Sequence, residues 1–353
     1  MKSHAIIPIF IPHKGCPNSC VFCNQNKITL NENPVQGTDV AKIIEKHLDT
    51  LRDRNLTTIE AAFYGGSFTG IPLKEQSEYL EIAYFYKRHG MINKIHLSTR
   101  PDLINDYILS NLERYGVDTI ELGVQSFDDT VLEKSNRGHN SAIVYESSRM
   151  IQSYGFELGI QLMIGLPGDT PEKDIYSARE LVKIKPSIAR LYPAIIIEGT
   201  ALHNMYLSGD YTPLELDEAI NITKAMYQII SAAGIKLIRV GLRSADLVEK
   251  AGKNFHPAFR QLVESEIAKE ALDEQLNKDA RLSGLISEMN KASGGVSFLP
   301  CIPVRLFSNE KSFSNMIGNR KSNKVYFNKK YPLFKFSYEI DNSLADNRYI
   351  VVE

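Results

Sequence analysis

The sequence predicts an α/β fold, an incomplete (β/α)6 barrel followed by a small C-terminal α+β unit. Three observations lead there. Short β-branched runs alternate with helix-period segments over the first 240 or so of the 353 residues. The first of these runs, Ala5–Ile11, is continuous and apolar, as in a strand covered on both faces, which is the mark of a parallel sheet. The residues with the most distinctive chemistry fall just after such runs, at the C-terminal strand ends where parallel α/β folds place their sites.

The elements follow in order. Ala5–Ile11 is continuous and β-branched, and reads as the first strand. Thr38–Arg54 carries Val40, Ile43, Ile44, Leu48 and Leu51 at helical spacing. Strands are expected over Ile59–Tyr64, Lys94–Ser98, Thr119–Val124, Glu157–Ile164, Ala189–Tyr192 and Ile235–Val240. Helices are expected between them, over Leu73–His89, Leu103–Tyr115, Ser141–Tyr154, Pro171–Lys185 and Leu214–Ala233. Gly116 supplies a helix stop, and Thr170-Pro171 a cap with a first-turn proline. Six strand–helix units suit an open barrel better than a closed one of eight.

Near residue 245 the character changes. The expected divisions are 1–245 for the barrel domain, 246–292 for a helical extension and 293–353 for a small basic α+β domain. His256–Leu276 reads as a charged amphipathic helix, and Val296–Phe307, Leu333–Ile340 and Arg348–Val352 as strands.

Composition narrows the class. Apolar residues make up 43% and charged residues 24%, as in a globular protein with a sizeable core. A net charge of −1 excludes a general polyanion binder, so any nucleic-acid affinity must be local. The apolar run Ala5–Ile11 is too short to span a membrane and precedes no small-residue cleavage site. Four cysteines without an export signal place the protein in the cytoplasm, with no membrane partner.

Chemistry concentrates in Gly15-Cys16-Pro17-Asn18-Ser19-Cys20-Val21-Phe22-Cys23, a C-x3-C-x2-C spacing with an aromatic before the last cysteine. Three thiolates in one loop can hold a four-iron cluster and leave one iron open for a small molecule. The same residues with His13 could form a Cys3His zinc site, which makes a zinc-stabilised RNA-binding protein the alternative of another class. Cys301 is expected to be a small buried apolar residue rather than a fourth ligand. Gly65-Gly66 at the end of the second strand lets a ligand approach bare backbone. The chain has no Gly-x-x-x-x-Gly-Lys-Ser/Thr loop and no His-Glu-x-x-His, so nucleotide hydrolysis and zinc proteolysis find no support.

The cysteine loop resembles that of the radical S-adenosylmethionine (radical SAM) superfamily. The segments Gly65-Gly66-Ser67-Phe68-Thr69, Ser98-Thr99-Arg100-Pro101-Asp102, Glu121-Leu122-Gly123-Val124-Gln125-Ser126, and Leu191-Tyr192-Pro193 through Glu198-Gly199-Thr200 are similar to the Elongator catalytic-subunit family. The similarity runs from about Ile6 to Val240. A weaker likeness joins the chain to coproporphyrinogen dehydrogenase-like proteins.

The resemblance implies a 4Fe–4S cluster on Cys16, Cys20 and Cys23, S-adenosylmethionine as the second cofactor, and reduced flavodoxin or ferredoxin as electron donor. It implies that main-chain carbonyls at Gly65 and Gly66 take the ammonium of SAM, with Ser67 where Glu is common. It places Gln125 on the ribose or methionyl part, Arg137 on the carboxylate, and Phe22 against cluster or adenine. Ser98 and Gln161 stand where the porphyrinogen branch has Glu and Asp. They keep hydrogen-bonding ability without charge, which weakens a tetrapyrrole assignment. The Elongator-type acetyltransferase domain is not expected, because the chain ends too soon to hold it, so acyl transfer is not carried over. An RNA, in particular tRNA, is the expected substrate, and a small metabolite or tetrapyrrole the alternative.

The tail adds one hint. Between Lys311 and Lys335 lie seven Lys/Arg and no Asp or Glu. Within it Gly318-Asn319-Arg320-Lys321 faintly resembles the Gly-x-x-Gly loop with which KH domains clamp RNA. A solvated basic face is the simpler reading.

Overall fold

The computed structural model describes residues 4–11, 14–24, 35–242, 255–279 and 302–352. His13, Cys301 and the first residues of the strand expected over Val296–Phe307 lie outside these. The chain divides into two compact units, Met1–Pro257 and Ala258–Glu353.

The first unit is a seven-stranded sheet in sequential order. The strands are β1 (His4–Phe10), β2 (Thr58–Tyr64), β3 (Lys94–Thr99), β4 (Thr119–Gln125), β5 (Glu157–Ile164), β6 (Ile188–Pro193) and β7 (Lys236–Val240). Every adjacent pair is parallel. The crossovers are α1 (Gly37–Leu51), α2 (Leu73–Arg88), α3 (Asp106–Arg114), α5 (Ser141–Ser153), α6 (Pro171–Ile184) and α8 (Leu216–Ala232). These are the six expected strand–helix units with a seventh strand closing the series. Two short helices, α4 (Asp129–Lys134) and α7 (Ala201–Ser208), were not expected from the sequence.

Alternation along the strands separates two faces. Ile7, Ile9, Ile95, Leu97, Ile120, Leu122, Leu158 and Ile160 are fully or almost fully buried and form the apolar core. Each such side chain contributes about 1.5–3 kcal/mol. The intervening positions on the other face include Glu60, His96, Glu121 and Arg190, which is unusual for a barrel interior.

Capping residues fix where helices begin. Thr170 Oγ1 accepts from Lys173 N at 3.4 Å, with Pro171 in the first turn. The helix expected over Leu103–Tyr115 starts later. Pro101–Leu103 forms one 3-10 turn, and Asn105 Oδ1 then accepts from Ile108 N at 2.9 Å, so α3 begins at Asp106. The asparagine's competition for backbone donors decides that start.

The second unit holds α9 (Phe259–Lys278), β8 (Ile302–Ser308), α10 (Phe313–Ile317), α11 (Ser322–Lys330), β9 (Phe334–Ile340) and β10 (Ile350–Val352). Its sheet runs β10–β8–β9, with β8 parallel to β9 and antiparallel to β10. Leu272 and Leu276 of α9 join Val304, Leu306, Met316, Phe327 and Tyr331 in one core. Asp273 ties α9 to α11: its carboxylate accepts from Tyr326 Oη at 2.5 Å, Lys330 Nζ at 2.6 Å and Tyr331 Oη at 2.8 Å. Gly318–Lys321 turns between α10 and α11, with Arg320 at φ 50° and Lys321 at φ 66°.

Candidate active site

The cysteine loop follows β1, and backbone contacts hold it. Ser67 N donates to Lys14 O at 2.8 Å, tying the loop to the turn after β2. Lys14 Nζ donates to Glu75 at 2.6 Å and to Tyr79 Oη at 2.9 Å on α2. Val21 N donates to Ser135 O at 3.1 Å, and Leu202 N to Val21 O at 2.8 Å. Asn136 Nδ2 donates to Ser19 O at 2.8 Å. The loop is thus moored to β2, to the α4–α5 turn and to α7.

Glycine is required where these segments meet. A Cβ on Gly66, at φ +59°, would lie 2.3 Å from Lys14 O and 2.7 Å from Ile11 O. A Cβ on Gly15, at φ +74°, would lie 2.1 Å from Ser67 O. Gly66 therefore admits the cysteine loop itself against bare backbone.

Cys16, Cys20 and Cys23 are reduced thiols. Cys16 Sγ lies 3.3 Å from Ser67 Oγ. Burial pushes the Cys16 thiol up, against the Ser67 hydrogen bond and the charges of Arg100 and Arg137. Arg137 Nη1 donates to Cys20 Sγ at 3.0 Å, and its Nη2 donates to the carbonyl of Gly123. Arg137 Nε is buried without a partner. His139, two residues on, is pushed down to about 4 by burial and then by the Arg137 charge, so it is neutral at pH 7.

At the end of β4 the register shifts between Gly123 and Gln125, and Gln125 sits at φ 73°. Gln125 Oε1 accepts from Gln161 Nε2 of β5 at 3.1 Å. Ser98 Oγ donates to Glu121 Oε1 at 3.3 Å. Of the residues singled out by sequence, Arg137 meets one cysteine, Cys20, directly and Gln125 meets Gln161. Ser98 engages a carboxylate of the sheet's polar face. Phe22 is half-buried between two apolar clusters, one of Val131, Met163, Leu166 and Ala194, the other of Ile196, Leu202 and Tyr211.

Sequence reasoning missed the polar chain beneath. His4 Nε2 lies 2.9 Å from Glu60, and Glu60 lies 2.5 Å from His96 Nδ1. His96 Nε2 stands 3.7 Å from Glu121, which lies 2.7 Å from Arg190 Nε in an ion pair. Arg190 Nη2 donates to Tyr64 Oη at 2.6 Å and its guanidinium stacks over that ring at 4.8 Å. Charged residues at alternating positions inside apolar strands were the available signal. Arg100 was missed too, although Arg100-Pro101-Asp102 stood among the segments compared.

The donor set fits an iron–sulfur cluster. Three reduced thiols lie on one loop, a guanidinium donates to one of their sulfurs, and glycines keep side chains out of the surrounding backbone. Among the described residues no three Cys, His, Asp or Glu side chains are placed to hold a single metal ion. No helix among the described residues is long and apolar enough to cross a membrane.

Residues 10–181 match the Radical SAM superfamily, and residues 186–269 match the radical SAM C-terminal domain. An uncharacterized protein of Methanocaldococcus jannaschii is 28% identical over 61% of this chain and 63% of its own length. A tRNA uridine(34) acetyltransferase of Dehalococcoides mccartyi is 26% identical over 56% of this chain and 50% of its own. The chain therefore spans less than two thirds of these relatives. The structure of Methanocaldococcus infernus Elp3 shares the fold, with a TM-score of 0.57 at 20% identity over 71% of this chain and 62% of that one.

Proposed function

Because this chain belongs to the radical SAM superfamily, we propose that it cleaves S-adenosylmethionine reductively on a 4Fe–4S cluster held by Cys16, Cys20 and Cys23 and uses the resulting radical to modify an RNA, in particular a tRNA. The observation that carries the reading is the set of three reduced thiols on the loop after β1, with Arg137 donating to Cys20 Sγ. Cys16, Cys20 and Cys23 would hold the cluster, which would supply the one-electron reduction that splits SAM into methionine and a 5′-deoxyadenosyl radical able to abstract hydrogen from the substrate.

The chain's own residues bind and orient. Backbone carbonyls at Gly65 and Gly66 would hold the SAM ammonium. The unpartnered Nε of Arg137 is the donor left for the carboxylate. The Gln125–Gln161 pair would offer amide groups to the ribose, and Ser98, which donates to Glu121, would be the further hydrogen-bonding residue on β3. Phe22 and its apolar neighbours would exclude water from a bound adenosyl group. Reduced flavodoxin or ferredoxin is the electron donor, and the cytoplasm the compartment.

RNA as substrate is supported by the name of the Dehalococcoides relative and by the basic stretch 311–335, in which Arg320, Lys321, Lys324 and Lys329 are exposed. Anaerobic reconstitution should give a brown protein containing iron and sulfide that forms 5′-deoxyadenosine under a strong reductant. Cys20→Ala should lose both properties, and retention of both would refute the cluster assignment. Nucleoside analysis of RNA from a deletion strain should show one modification missing. An unchanged profile would turn the search to a small metabolite.

A further inference from the structure

Arg100 has no part in the reading above, yet it is 3% exposed at the end of β3. Its Nε and Nη2 each donate to the Asp102 carboxylate at 2.9 Å. Nη2 also donates to the backbone carbonyl of Arg137. Asn18 Nδ2, from the cysteine loop, approaches the same carbonyl at 3.5 Å. At Gly138, φ +71°, a Cβ would lie 1.4 Å from Asn18 Nδ2 and 3.4 Å from Arg100 Nη2. The Arg100 guanidinium thus lies where β3, the Arg137–Gly138 turn and the cysteine loop converge.

Two features make it more than a clamp. Its Nη1 is buried without an acceptor. A buried donor left so costs about 1–3 kcal/mol, more when charged, so the site is one that an anion would complete. The ion pair is also lopsided: the Asp102 side chain is 25% exposed and that of Arg100 only 3%. Water screens the carboxylate and leaves the guanidinium's field largely unscreened.

We propose that Arg100 is a positioning residue for the cluster: it holds the Arg137 carbonyl so that Arg137 meets Cys20, and its buried positive charge favours the cluster's reduced state. Reduction adds one electron beside three thiolates, and net charge and hydrogen bonds to sulfur set such potentials. Asp102 attenuates the effect from the solvent side.

The inference rests on the cluster reading, and the test separates the two. Full-length parent, Arg100→Gln, Arg100→Lys and Asp102→Asn proteins are reconstituted anaerobically. Iron and acid-labile sulfide are counted, and midpoint potentials are read by EPR-monitored titration without SAM. Arg100→Gln should hold about tenfold less reduced cluster at a fixed potential, which is about 59 mV for one electron. Arg100→Lys, which keeps the charge, should recover most of that shift. Asp102→Asn should shift the potential the opposite way. Loaded variants that all titrate with the parent would make Arg100 a structural clamp only and overturn the inference. Should Arg100→Gln fail to take up iron, the direction of the Asp102→Asn shift decides. A parent that binds no iron and sulfide overturns the cluster reading and the inference with it.

Discussion

Replacing Gly15 by alanine puts a methyl group where backbone already lies. The new Cβ would stand 2.1 Å from Ser67 O and 2.8 Å from both Gly70 C and Ile71 N. None of these is a flexible side-chain end, so no rotamer change relieves the contact. Gly70 faces Gly15 in return, since a Cβ there would meet Gly15 O at 2.1 Å. Two backbones touch at this point, and one must move by more than 1 Å to restore about 3.2 Å contacts. The left-handed φ of +74° costs alanine about 1–2 kcal/mol. Overpacking adds about 1–3 kcal/mol, for a total of about 2–5 kcal/mol. Gly155 is the matched control, with φ +83° and nothing within 4 Å of its Cβ position, so Gly155→Ala carries only the first cost. Urea unfolding of both variants under anaerobic conditions measures the difference, and iron uptake reports the loop. Gly15→Ala should be the less stable by about 1–3 kcal/mol and take up less iron. Equal stability of the two variants would refute the close approach of loop and turn.

Asp174 is pushed up to about 10 by burial and by the charge of Asp169, so it stays protonated in the folded protein at neutral pH. The unfolded chain releases that proton near pH 3.9, so the contribution is full below that pH and falls by up to about 1.4 kcal/mol per unit as pH rises toward the folded value. Asp174→Asn should flatten this decline in urea unfolding between pH 6 and 9, and an unchanged slope would contradict it. Glu121→Gln leaves buried Arg190 without its carboxylate and should destabilise the first unit by about 3–5 kcal/mol by the same measurement, where a loss below 1 kcal/mol would count against the ion pair. Lys321→Glu with Lys324→Glu should weaken RNA binding and reduce its salt slope by about two or more; unchanged affinity at fixed salt would remove the tail from the RNA surface.

The barrel was legible because each of its elements speaks locally. Ile7 and Ile9, or Leu158 and Ile160, declare strands by branching and period, and Thr170-Pro171 declares a helix start. The start of α3 was less legible: Leu103 and Ile104 extend the apolar pattern, and only the Asn105 side chain shows that the backbone is not yet helical there. Among site residues, the cysteines and the glycine pair stand out by spacing. Glu121 and Arg190 do not, because each finds its partner on another strand, and one sequence holds no trace of which charge will face which. Arg100 has a local partner in Asp102, but nothing in the sequence shows that its guanidinium also reaches the Arg137 carbonyl. The contact of Arg137 with Cys20 belongs to the same class: its two ends are 117 residues apart.

The irregularity at the end of β4 has a cost with a direction. A left-handed backbone at a glutamine is a conformation that glycine would adopt with less strain. Gln125→Gly should therefore relax the main chain while deleting the amide that meets Gln161. At this one position an easier main chain and the amide contact between two strands pull apart, and a selection for heat resistance alone would trade the second for the first.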